Sequence, residues 1–182
     1  MPRFFIEQIA LCPPDPAAAI ELLTALGLSE WAKDVVIAHG TVHESRGQLN
    51  KAQLAFNYQA TRGLPIFDDE QRLNTDLPKP LELEVLHYEK GRAWTKYFQP
   101  SVSHLGMHVT QEELDAFRAL FTDRGIKVAQ EVFTQQHTNP VIAGKRWYNY
   151  VIFNTRGILG VDLKFIVRHD TPAVVAHVPL EY

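Results

Sequence analysis

Hydrophobic and polar positions alternate along several short stretches of the chain, and two helical stripes interrupt them. The segment "FFIEQIALCPPDPAAAIELLTALGL" (Phe4–Leu28) predicts a strand, a turn and a helix. Asp15 is placed to cap the helix N-terminus, and Pro16 suits its first position, where a missing N–H costs nothing. Ala19, Ile20, Leu22, Leu23 and Leu26 form its apolar face, and Gly27 fits the C-terminal stop. The segment "SVSHLGMHVTQEELDAFRALFTDRGIKV" (Ser101–Val128) predicts the same order. Here Thr110 and Glu113 have the spacing of a capping box. Leu114, Phe117, Leu120 and Phe121 fall on one helical stripe, closed by Gly125.

The later parts of the two halves also correspond. "AQLAFNYQA" (Ala52–Ala60) parallels "WYNYVIFNT" (Trp147–Thr155), and "LELEVLHY" (Leu81–Tyr88) parallels "GVDLKFIV" (Gly160–Val167). The first two are alternating, aromatic-rich runs of strand length. One more strand is expected in each half, around "VVIAHGTVH" and "IKVAQEVF". The plan is an α+β chain made of two βαβββ modules, residues 1–95 and 96–182, joined near Gly91–Pro100. "RGLPIFDDEQRLNTDLPKP" reads as a turn-rich excursion from the first module. The tail "HDTPAVVAHVPLEY" follows the second.

The chain has 182 residues, 46% hydrophobic and 21% charged, which is ordinary globular material. A formal net charge of −3 gives no support for nucleic-acid binding, which shows as a basic surplus. No apolar run approaches a membrane span. The first residues, "MPRFFIEQIALCPP", lack the apolar region and cleavage pattern of a secretory signal, so a cytoplasmic location is expected. A single cysteine, Cys12, excludes an intrachain disulfide and a cysteine-rich zinc site. There is no Gly-rich phosphate loop, no nucleophile elbow and no helical His-Glu-x-x-His.

The polar residues of the strands carry the candidate chemistry. His104 and His108 share a strand face, as do Glu82 and Glu84, while His87 falls on the opposite face from the two glutamates. Laying one half over the other pairs Gln8 with His104, Glu82 with Asp162, and Glu84 with Lys164. Two pictures follow. Either an N/O-donor set surrounds a divalent cation, or the Lys164 ammonium neutralises Glu84 and the cleft works without metal.

With the repeated module, "HLGMHV" and "EVLHY", the chain resembles the vicinal oxygen chelate superfamily, also called the glyoxalase/bleomycin-resistance/extradiol-dioxygenase superfamily. That resemblance implies curved sheets forming a cleft, in which first and last strands hold a divalent metal (Zn, Ni, Fe or Mn). It assigns Gln8, Glu84, His104 and Asp162 as the metal ligands and Glu84, or else Glu82, as the general base. It further implies a homodimer and a small-molecule ligand. The activity it implies is isomerase, lyase or dioxygenase chemistry on a substrate chelated through two oxygens. Other members of the superfamily sequester antibiotics without catalysis, and Lys164 keeps that alternative open. Arg146, Tyr148 and Tyr150 lie where family members often place substrate contacts.

Overall fold

The computed structural model describes residues 2–39, 49–60, 81–90, 101–134, 137–140, 143 and 145–169. The expected excursion after Thr61, the joining segment Gly91–Pro100 and the tail beyond His169 lie outside the described residues. So does the second half of "VVIAHGTVH".

Eight strands form one sheet: β1 (Gln8–Cys12), β2 (Ala32–His39), β3 (Leu49–Asn57), β4 (Glu82–Lys90), β5 (Ser101–His108), β6 (Val128–Thr134), β7 (Trp147–Phe153) and β8 (Asp162–His169). Helix α1 (Pro16–Ala25) follows β1, α2 (Gln111–Asp123) follows β5, and a short α3 (Arg156–Leu159) precedes β8. The strand order is β2-β3-β4-β1-β5-β8-β7-β6. Each βαβββ unit contributes four adjacent strands, and β1 meets β5 antiparallel at the junction. The outermost strands, β2 and β6, also touch, so the sheet curls round on itself. No described helix is long and apolar enough to cross a membrane.

The helix ends follow the local chemistry read from the sequence. Asp15 accepts from Ala18 N, and Thr110 and Glu113 exchange the two bonds of a capping box. Gly27 and Gly125 both have positive φ, +100° and +69°, where a Cβ would be strained. The α1 face departs from expectation. None of its residues is buried, and Leu22 and Leu26 are 62% and 71% exposed. The helix rests against β4, with Pro16, Ala19, Ile20 and Leu23 half-buried.

Alternation along the strands sorts the side chains. In the second unit, odd positions such as Val151, Phe153, Leu163 and Phe165 form the core beneath α2. Phe117 and Phe165 rings lie 4.6 Å apart, and Phe121 and Phe153 rings 4.5 Å apart. Deleting a ring such as Phe165 would cost about 3–5 kcal/mol. Even positions, among them His104, Tyr150, Ile152 and Lys164, turn to the other face and line a cavity of about 320 Å³.

Candidate functional site

Strand register settles which residues correspond. In the first unit β1 runs parallel to β4, with Gln8 opposite Glu82 and Ala10 opposite Glu84. In the second, β5 runs parallel to β8, with His104 opposite Asp162 and Gly106 opposite Lys164. The offsets are identical. Gln8 therefore matches His104, Glu82 matches Asp162, and Glu84 matches Lys164.

Gln8, Glu84, His104 and Lys164 meet at the floor of the cavity and are nearly fully buried, at 2%, 1%, 1% and 8% exposure. His104 Nε2 lies 3.1 Å from Gln8 Oε1 and 3.2 Å from Glu84 Oε2. Its Nδ1 lies 3.2 Å from Ser103 Oγ. Lys164 Nζ donates to Glu84 Oε2 at 3.4 Å and sits 4.9 Å from the centre of the Tyr150 ring. Gln8 Nε2 donates to Glu82 Oε1, and the Tyr58 hydroxyl donates to Glu82 Oε2 at 2.6 Å. Gly106 makes room for this network: a Cβ there would stand 2.8 Å from Gln8 Oε1.

Burial alone would raise the Glu84 pKa. The Lys164 charge and the bonds from His104 and Lys164 overcome it and hold the carboxyl down at about 2. Burial and the Lys164 charge push His104 down to about 4, against the opposing pull of Glu84. At neutral pH His104 is therefore an uncharged imidazole. Its contact with Glu84 is a hydrogen bond donated by Nε2–H, and the ion pair is Lys164–Glu84.

Asp162 is not brought to this cluster. It opens β8, where α3 turns the chain, and accepts from Arg156 N at 3.1 Å and Arg156 Nε at 3.3 Å. Arg156 also bonds Ser103 O at 2.7 Å. This tie anchors the end of the strand and leaves Asp162 outside the cavity lining. His108 reaches the cavity mouth, 43% exposed in its side chain, with Nδ1 3.1 Å from Glu7 Oε2. His87 is exposed.

The residues present do not fit a divalent cation. Three donors converge, but they bring one negative charge, and the Lys164 ammonium cancels it. A second positive charge of two units beside that ammonium would be repelled at low dielectric. Among the described residues no three His, Cys, Asp or Glu side chains are grouped to hold a metal.

Two features had no expectation attached to them. Asp34 on β2 is clasped by the loop after β6: it lies 2.8 Å from His137 Nδ1 and accepts from Thr138 N at 2.8 Å and Asn139 N at 3.0 Å. Val35 N returns a bond to Thr138 Oγ1 at 2.9 Å, so the two ends of the sheet are tied across the cavity. The other feature is Gln130, a buried amide on the cavity wall. A lone carboxylate inside the apolar run "AKDVVI" was the available signal for the first. Nothing marked the second, one amide among the polar residues of a half-buried strand.

No protein-family model and no curated protein sequence matches the chain. Among solved structures it is similar to a hypothetical protein of Bacillus halodurans C-125, at 9% identity and a TM-score of 0.46 over 90% of this chain and 93% of that one. It is also similar to a methylmalonyl-CoA epimerase in complex with methylmalonyl-CoA and NH4+, at 17% identity and 0.45 over 93% and 95%. A third is methylmalonyl-CoA epimerase from Mycobacterium tuberculosis, at 11% identity and 0.40 over 92% of each chain. The order and sense of the eight strands show two βαβββ units paired in one curled sheet, the fold that the resemblance to the vicinal oxygen chelate superfamily implies.

Proposed function

We propose that the chain binds a small organic molecule in its cleft without a metal ion. The observation that carries this is the buried Lys164–Glu84 pair, with Nζ 3.4 Å from Oε2 at the register position where a last-strand carboxylate would complete a metal site. The cavity walls support the reading. Just over half of the lining residues are aliphatic or aromatic, and the others supply convergent polar groups, a mixture that suits a small-molecule site. Acid–base chemistry is poorly served by the floor. A general base works best with a pKa near the operating pH, and Glu84 at about 2 and His104 at about 4 are both far below neutral. In this reading the protein is a homodimer, as the family resemblance implies, and cytoplasmic, as its first residues lead one to expect, which light scattering and cell fractionation test.

Ligand-observed NMR against a library of small aromatic compounds tests the proposal. Saturable binding that survives EDTA and is lost on filling the cavity by Ala52→Trp supports it. A library without a single cleft-dependent binder sinks it.

A second reading keeps the metal-dependent isomerase, lyase or dioxygenase, with Gln8, Glu84 and His104 as ligands, Asp162 as the fourth and Glu84 as base. One observation favours it. Gln8 Oε1 and Glu84 Oε2 stand 3.1 and 3.2 Å from His104 Nε2, spacings that neighbouring ligands of one ion also show. It requires Lys164 to leave Glu84 and Asp162 to leave Arg156. Stoichiometric metal in the purified protein, lost in His104→Ala, would establish it.

A further inference from the structure

Resting on the binding reading above, we infer that Gln130 selects the ligand: its amide donates to a neutral, carbonyl-type oxygen on a flat aromatic molecule. Gln130 is 4% exposed, and its Nε2 has no hydrogen-bond partner among the described residues. A buried amide N–H without an acceptor is costly and calls for a reason. Gln130 lines the cavity, and its last side-chain torsion is a soft one, so a small turn of the carboxamide brings the donor to a bound acceptor.

The internal repeat shows that the fold does not demand an amide there. On β6, Gln130 stands opposite Ile152, which stands opposite Lys164. On β2, Ala32 stands opposite Phe56, which stands opposite Glu84. The counterpart of Gln130 is therefore Ala32, also a cavity residue. A donor on one wall and a methyl on the other fit an unsymmetrical ligand with its acceptor towards β6.

The remaining lining sets the ligand's charge and shape. Three carboxylates, Asp34, Glu82 and Glu84, face the cavity against two cations, Arg146 and Lys164. Each carboxylate already has donors within the protein, and Lys164 is held by Glu84. Such a balance does not draw an anion and leaves no carboxylate seeking a cation, so the ligand is neutral. Tyr148 and Tyr150, stacked on one another with ring centres 5.5 Å apart and planes inclined by 8°, line the wall that carries Gln130. A flat aromatic body packs against such rings, edge-to-face or offset.

The test uses three probes of one shape on the full chain: 2-acetylnaphthalene, 2-ethylnaphthalene and 2-naphthoate. Affinities come from tyrosine and tryptophan fluorescence quenching, and the Gln130 side-chain amide is followed by NMR. The ketone is expected to shift the Gln130 amide resonances and the hydrocarbon to leave them in place. Gln130→Leu should lower the ketone-to-hydrocarbon affinity ratio by about fivefold to tenfold, with naphthoate weaker than the ketone throughout. Binding of ketone and hydrocarbon with an unmoved Gln130 amide and an unchanged ratio overturns the inference and spares the binding reading. Tighter binding of naphthoate than of ketone also overturns it. Binding of none of the three overturns the inference, and the binding reading falls with it only if the library also yields no cleft-dependent binder. The resonances of the unmodified protein decide the matter even if Gln130→Leu does not fold.

Discussion

Lys164→Glu should convert the cleft floor into a metal site. In the unmodified protein the ammonium lies 3.4 Å from Glu84 Oε2, with both side chains buried. At that separation and an effective dielectric of about 20, the attraction is about 5 kcal/mol before desolvation is subtracted. The substitution replaces it with two adjacent buried carboxylates. Without a cation the variant should lose about 3–5 kcal/mol of stability, the usual cost of breaking a buried pair. A divalent ion removes the repulsion and finds Gln8 Oε1, Glu84 Oε2 and His104 Nε2 already converged. At one hundred times its Kd the ion would return about 2.7 kcal/mol. For a chain of this size that is roughly 5–10 °C in Tm. The assay is thermal unfolding of both proteins against Zn²⁺, Ni²⁺ and Mn²⁺, with bound metal counted by mass spectrometry. The reasoning is refuted if the folded variant ignores metal, or if the unmodified protein binds it equally well.

Other consequences follow from the same contacts. Gly106→Ala should displace the Gln8 amide, since the new Cβ would stand 2.8 Å from its oxygen, and cost about 1–3 kcal/mol by urea denaturation. His104 lies at about 4 when folded and 6.5 when free, so the unfolded chain binds the extra proton between those values. Stability should therefore fall as pH drops from 6.5 towards 4, and His104→Gln should flatten that part of the profile. Glu84 adds a second loss on the carboxylate side, as pH falls from 4.5 towards 2. Asp34→Ala should strand two backbone N–H groups of the clasp, costing about 3 kcal/mol, and abolish hydrogen-exchange protection at Thr138 and Asn139. Because Asp34 is held below its usual range by the bond to His137 and the two amides, against burial, its contribution persists above that range and is lost on strong acidification.

The parts of this architecture that rest on local chemistry were legible in the sequence. Asp15, the Thr110–Glu113 box and the two stop glycines each act within a turn of their own position. Alternation marked the strands, and the internal repeat paired Gln8 with His104 without reference to any partner chain. It also paired Glu84 with Lys164, yet it could not say whether that pair or Glu82 with Asp162 would centre the site. All four lie on the same strand faces. The choice depends on where each strand begins relative to the cavity and on α3, whose Arg156 takes Asp162. The Asp34 clasp was out of reach for a different reason: its partners lie 103 to 105 residues away, in a loop with no pattern of its own. The exposed stripe of α1 shows the same limit from the other side. An apolar face can be read from spacing, but what covers it cannot.

The central claim is that an ion pair, in place of a metal, occupies the floor of the cleft. Calorimetric titration of the metal-stripped, unmodified protein with Zn²⁺, Ni²⁺ and Mn²⁺ at neutral pH tests it most directly. The account predicts no site-specific heat, with identical traces for the unmodified protein and His104→Ala. One equivalent of tightly bound metal, lost in His104→Ala, would contradict it.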